Sequence, residues 1–175
     1  MSKAVFCIVN DRAKAETIVG DLRTAGFSGD DISVLFPDKE GSRDFAHEKN
    51  TKAPEGAAAG ATTGGLVGGT LGWLAGIGAL AIPGVGPFVA AGPIMAALGG
   101  AAVGATAGGI TGTLVGLGMP ELEAKQYDEK IRGGNILLSV HTEDSAEQKK
   151  AKDIFERHHA SDISSGGEAE VRKSA

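Results

Sequence analysis

The chain has 175 residues, a formal net charge of −5, 42 % hydrophobic and 22 % charged residues. That balance excludes wholesale disorder, and a mildly acidic chain without a basic cluster argues against nucleic acid as a partner. A single cysteine excludes a disulfide framework and a cysteine-based zinc site; 28 glycines without a three-residue period, beside only 6 prolines, exclude collagen.

Charge divides the chain. Residues 56–120 contain no Asp, Glu, Lys, Arg or His, and 20 of the 28 glycines lie there. Two charged arms flank this block.

The first arm, 1–37, reads as β-α-β. Ala4 to Val9 (AVFCIV) is a continuous apolar run, suited to a strand buried on both faces. The run is too short, and lacks the cleavage site, for a signal peptide, so secretion is not expected. Asn10 and Asp11 offer a helix N-cap. Ala15, Ile18, Val19, Leu22 and Ala25 recur at helical spacing, and Gly26 with Phe27 supplies a C-terminal stop. Ile32, Val34 and Phe36 alternate with Ser33 and Leu35 in a second strand, ended by Pro37. A helix between two strands predicts a parallel βαβ unit. Residues 38–55 carry no apolar period and read as a polar linker.

The middle block, 56–119, carries glycine at a spacing of four. The first run includes Gly60, Gly64, Gly68, Gly72 and Gly76; the second is Gly100, Gly104, Gly108, Gly112 and Gly116. On a helix this spacing makes a stripe of small residues that lets two backbones approach closely, as in membrane helix packing. The spacing therefore predicts helices over 57–81 and 93–117, joined by a turn at 82–92. Pro83, Gly84, Gly86, Pro87 and Pro93 make the turn, because proline breaks helices. Leu66, Trp73, Ile77 and Leu80 lie off the stripe and would face lipid or a neighbouring chain. Each half has 25 residues, about 37 Å as a helix, against a hydrocarbon core of about 30 Å. Strong apolar residues are few in each half, so insertion gains only a few kcal/mol. Insertion improves if several subunits enter as one packed unit.

The second arm, 120–165, mirrors the first. Pro120 suits the first helical position. Leu122, Ala124, Tyr127 and Ile131 share a face, and Gly133-Gly134 stops that helix. Asn135 to His141 is a strand, with Ile136, Leu138 and Val140 on one side. Ser145 with Gln148 resembles a capping box, and Ala146, Ala151, Ile154 and Phe155 line the helix that follows. Asp162 to Ser164 makes a last short strand, and 166–175 reads as a flexible tail. Neither arm buries a full core alone. Together they predict an α+β, ferredoxin-like sandwich: a split βαβ/αβα(β) sheet of three or four strands, helices on one face, interrupted by a Gly-rich apolar helical hairpin.

Candidate chemistry is thin. There is no phosphate loop, and neither Gly84-Val-Gly86 nor Gly116-Leu-Gly118 completes a dinucleotide motif. His158 and His159 are adjacent and point apart on a helix, a poor metal pair that reads as a solvated helix end. Cys7 in an apolar strand reads as a core residue. His47 and His141 read as surface side chains, and no Ser/His/Asp grouping stands out. No catalytic, metal-binding or cofactor-binding residue is expected, and no enzyme.

Three passages carry a family likeness: the opening strand-helix, the stretch AIPGVGPFVAAGPIMAALGG, and the exit GMPELEAKQYDEKIRGGNILLSVHTED. Over roughly residues 3–165 the chain resembles the small bacterial general stress proteins, also called heat- or low-temperature-induced proteins. The resemblance implies a split α/β domain around a glycine-zipper hairpin, a stress-linked role, and no catalytic residues to carry over.

The resulting expectation is a non-enzymatic stress protein that inserts or docks its glycine hairpin at the membrane and forms a homo-oligomer. Its partners are then itself and membrane lipid, at the cytoplasmic side of the inner membrane. One alternative is a soluble cytoplasmic oligomer with a shared apolar hairpin layer, holding lipid. Another is a sensor or adaptor whose arms bind a ligand or partner protein; a cleft between the arms would favour it.

Overall fold

Ten elements follow one another in the computed structural model, which describes residues 3–37, 78–82, 86–94 and 109–167. In chain order they are β1 (Lys3–Val9), α1 (Arg12–Thr24), β2 (Ile32–Pro37), β3 (Gly78–Ile82), β4 (Gly86–Ala91), α2 (Gly109–Gly116), α3 (Glu121–Arg132), β5 (Ile136–Thr142), α4 (Ser145–Arg157) and β6 (Ser161–Gly167). The fold is α+β. The strands form one six-stranded sheet in the order β3-β4-β2-β5-β1-β6, each antiparallel to its neighbours. β5 lies between β1 and β2, antiparallel to both, so β1 and β2 run parallel as predicted, with a strand of the second arm inserted between them.

Alternation along each strand builds two cores. Val5, Cys7 and Val9 of β1, with Ile32, Val34 and Phe36 of β2 and Ile136, Leu138 and Val140 of β5, meet Ile18, Val19 and Leu22 of α1 and Ile154 and Phe155 of α4. The opposite residues, Phe6 and Ile8 of β1, Leu35 of β2 and Leu137 of β5, meet Ile110 and Leu114 of α2 and Ala124, Tyr127 and Ile131 of α3. Helices cover both faces, not one as expected. The cause is in β1 and β2 themselves: apolar residues at successive positions need cover on each side of the pleat.

Local capping follows side-chain chemistry. Asp11 caps α1, its carboxylate accepting from the Ala13 N–H at 3.1 Å. At the end of α1 the Phe27 N–H returns to the Leu22 carbonyl, with Gly26 at φ 101 between them. The same closing pattern ends α2 at Gly118, α3 at Gly134 and α4 at His159, a non-glycine residue at φ 51.

Several expectations need correction. The first predicted helix, 57–81, does not hold at its end, because 78–81 belong to β3, and Leu80 pairs with Phe88 of β4. The predicted turn at 82–92 is mostly strand: Gly86 and Pro87 lie on β4, leaving only 83–85 between β3 and β4. The reason is tertiary. The outer edge of β2 is apolar on both faces, and β4 completes it by placing Phe88 and Ala90 in one core and Val89 and Ala91 in the other. Pro93 is helical, not part of a turn. Of the second predicted helix, 93–94 and 109–116 are helical among the described residues.

Smaller corrections concern helix ends. Pro120 is the N-cap of α3. Leu122 is 73 % exposed, since it lies about 200° around the helix from Ala124. Asp144, not Ser145, caps α4: its carboxylate accepts from the Glu147 N–H at 2.8 Å, and Glu147 reaches back to the Glu143 N–H. Ala146 is exposed. The last strand is longer than expected, and Gly166 and Gly167 of the predicted tail pair with Ala4 and Lys3. The 38–55 linker, Gly60, Gly64, Leu66, Gly68, Gly72, Trp73, Gly76, Ile77, Pro83, Gly84, Gly100, Gly104 and Gly108 lie outside the described residues.

Candidate functional site

Only the end of the glycine pattern can be placed. Gly112 and Gly116 lie on the outer side of α2 and are exposed, beside Val115 at 40 % exposure. A methyl group at either glycine would meet nothing within 4 Å. The inner side of α2 is used fully, by Ile110 and Leu114. α2 is tied to α3 by the Thr111 hydroxyl donating to Asp128 at 2.7 Å. The described end of the stripe therefore faces away from the domain.

The face of the sheet beneath α2 and α3 is apolar except at one end. There Ser33 of β2 stands directly opposite Ser139 of β5, and His141 follows two residues further on the same face. The backbone is pinned at this point, the His141 N–H donating to the Asp31 carbonyl at 2.7 Å. Pro93 and Leu117 stand over these side chains and Ala4 closes one side, leaving a shallow recess with about the room of one water molecule. Ser33 is 2 % exposed and its oxygen accepts from the Ile94 N–H at 3.2 Å. Ser139 is 5 % exposed, and among the described residues no fully buried side-chain nitrogen or oxygen lacks a hydrogen-bond partner. The recess joins the two arms, with Ala4, Asp31 and Ser33 from the first and Ser139 and His141 from the second.

A second polar group seals β6. Between Phe6 and Ile8 the register of β1 and β6 slips by one residue, a bulge at which Asp162 takes φ 52. Three side chains of α3 grip it: the Tyr127 hydroxyl donates to the Asp162 carbonyl, Lys130 pairs with the Asp162 carboxylate, and Glu123 accepts from the Ser164 hydroxyl. Burial pushes the Tyr127 hydroxyl well above its ordinary pKa, and the nearby Cys7, Asp162 and Glu123 act in the same direction. This group anchors an edge strand.

Two further reactive side chains, Cys7 and His158, are held by packing and by an ion pair. Burial pushes the Cys7 thiol far above its ordinary pKa, which suppresses the thiolate. His158 differs from its expected solvated role: its ring reaches the Asp21 carboxylate at 2.7 Å and joins α4 to α1. Among the described residues no group of three or more His, Cys, Asp or Glu side chains is placed to hold a metal ion.

Sequence reasoning missed the recess. The signal was available in part: Ser33 and Ser139 are polar positions inside apolar runs. Their alignment across the ladder depends on the register, which single strands do not encode. Searches against protein families, curated proteins and solved structures return no match for this chain.

Proposed function

We propose that this chain is a non-enzymatic, homo-oligomeric protein that docks an uncharged, glycine-rich surface against a membrane. Its body would be a ferredoxin-like α/β domain. The strand order β2-β5-β1-β6, with α1 and α4 crossing one face, supports that likeness; the β3-β4 hairpin, α2 and α3 are additions between β2 and β5. The stress-linked, bacterial role is what the family resemblance implies.

The observation that carries the reading is charge segregation. Sixty-five consecutive residues, 56–120, lack a charged side chain. The described end of that block turns Gly112, Val115 and Gly116 outward on α2. An uncharged surface of small residues favours close contact with lipid or with a like surface.

Docking fits the connectivity better than a spanning hairpin. Among the described residues no helix is long and apolar enough to cross a membrane. β2 and β3 lie in one sheet, separated only by β4, so the chain leaves Pro37 and returns at Gly78 to the same body. The uncharged residues between them number 22, from 56 to 77. That is about 33 Å as a helix, one crossing with no return. The 14 residues from 95 to 108 also begin and end in the domain, and reach only about 21 Å.

The test is flotation with vesicles and sizing of the native chain, alongside Gly112→Leu/Gly116→Leu. Both glycines have open space around them, so the variant keeps its α/β spectrum. The native chain floats with vesicles and is released by carbonate; the variant loses vesicle binding or assembly at least tenfold. A soluble species many times 17.6 kDa that ignores vesicles would establish the particle reading instead. A lipid-indifferent monomer refutes both.

A further inference from the structure

We propose that β6 is an exchangeable strand, and that the edge of β1 beneath it receives the β6 of a second copy of this chain in a strand-swapped dimer. The surface involved is the sheet edge opposite the β3-β4 hairpin, separate from the outward face of α2.

Polar contacts hold β6 more than burial does. Of its seven residues, SDISSGG, Ile163 is the only large apolar one, and it is half-buried. Ser161, Asp162 and Ser165 are exposed. Beyond the ladder to β1, the hold consists of Tyr127, Lys130 and Glu123 on Asp162 and Ser164, and of Lys152 of α4 donating to the Ser165 hydroxyl at 3.3 Å. Water takes the place of each partner when the strand leaves, so each contact adds little net stability. An element held this way opens at a lower free energy than the cores.

The hinge favours exchange. α4 reaches β6 through residues 158–160 alone. His159 within it is a non-glycine residue at φ 51, a left-handed conformation in which its Cβ is crowded. The closed monomer keeps that strain, and a straightened hinge releases it. Short hinge loops under strain are where domain swapping arises. Three extended residues span about 10 Å, enough to cross to a second copy whose α4 end adjoins the first.

The edge of β1 selects the partner. With β6 gone, β1 presents unpaired backbone groups flanked by Val5 and Cys7 on one face and Phe6 and Ile8 on the other, a template that takes up another strand. Its requirements are specific. The slip between Phe6 and Ile8 needs a bulge, where Tyr127 and Lys130 meet a carbonyl and a carboxylate, and Glu123 needs a hydroxyl beyond it. The passage beside Gly118 admits only glycine, since a Cβ on Gly166 would stand 2.7 Å from the Gly118 carbonyl oxygen. SDISSGG meets all of these, and a second copy presents the same strand. The swapped dimer gives up only hydrogen bonds within the hinge, from the His159 N–H to Glu156 and from the Ala160 N–H to Phe155.

The test places cysteines at the facing positions Val5 and Ser165 of the full chain, with Cys7→Ala, and oxidises it after refolding at rising concentration. Opposed residues of an antiparallel pair lie about 4.5–5.5 Å apart, within disulfide reach. Denaturing gels without reductant separate intrachain from interchain bonds. The interchain share is expected to rise at least fivefold over about a hundredfold increase in concentration, by mass action. It is expected to fall at least threefold on adding His159→Gly, which relieves the hinge. If Val5→Cys fails to fold, Lys3→Cys/Gly167→Cys, the facing pair at the other end of the ladder, takes its place. An interchain share that does not rise with concentration, or that His159→Gly leaves unchanged, overturns the proposal. Assembly through α2 alone leaves the β1–β6 bonds intrachain, so failure here is distinct from failure of the membrane reading.

Discussion

Replacing Gly92 by alanine and Gly112 by alanine should move stability in opposite directions. Both glycines belong to the uncharged block, and composition treats them alike. Gly92 follows β4 with φ 74, and a Cβ there would stand 2.1 Å from the Ile32 carbonyl oxygen and 2.9 Å from its carbon. Those atoms are backbone of β2, held in the sheet, so they cannot swing aside. The left-handed conformation alone costs an alanine about 1–2 kcal/mol. Relieving the overlap requires moving β4 away from β2 and loosening Phe88 and Val89 in both cores. We expect a total loss of about 3–5 kcal/mol, a large share of the 5–15 kcal/mol typical of a domain. Gly112 sits mid-helix, and a methyl added there meets nothing within 4 Å, so alanine gains helix propensity, about 0.5–1 kcal/mol. Urea unfolding followed by circular dichroism measures both. A Gly92→Ala change under 1 kcal/mol, or a loss on Gly112→Ala, would refute the reasoning about which glycines the fold requires.

Three further outcomes follow from the cores and caps. Stability falls as pH rises above about 9: the folded Cys7 thiol stays protonated while the unfolded one ionises, so the native state binds more protons, and Tyr127 adds the same sign above about 10. Cys7→Ala should remove the lower part of that alkaline loss, and native Cys7 should react with a thiol reagent only on unfolding. Asp144→Ala should cost about 1 kcal/mol in thermal or urea unfolding, and Ser145→Ala close to nothing, since the carboxylate of Asp144 holds the helix N-terminus. Tyr127→Phe should cost about 1–2 kcal/mol by leaving the Asp162 carbonyl without its donor, with hydrogen exchange accelerated in 161–167.

The candidate site was legible in the sequence only in fragments. His141 stood out as a residue at a strand end, and Ser33 as one polar position in an alternating strand. Their meeting with Ser139 beneath Pro93 and Leu117 required the β2–β5 register and the placement of α2. The outward turn of Gly112 and Gly116 had the same origin: spacing defines a stripe, and packing decides which way it faces.

By itself the sequence determined the parts whose causes are local. The apolar run of β1, the face of α1 built on Ile18, Val19 and Leu22, and the stops at Gly26 and Gly134 depend on neighbours within a few residues. Charge segregation is likewise a property of the chain alone. Only the tertiary structure decided that Gly78–Ile82 and Gly86–Ala91 are strands. Glycine and alanine give weak local preference, so the free edge of β2, apolar on both faces, chose the conformation for them.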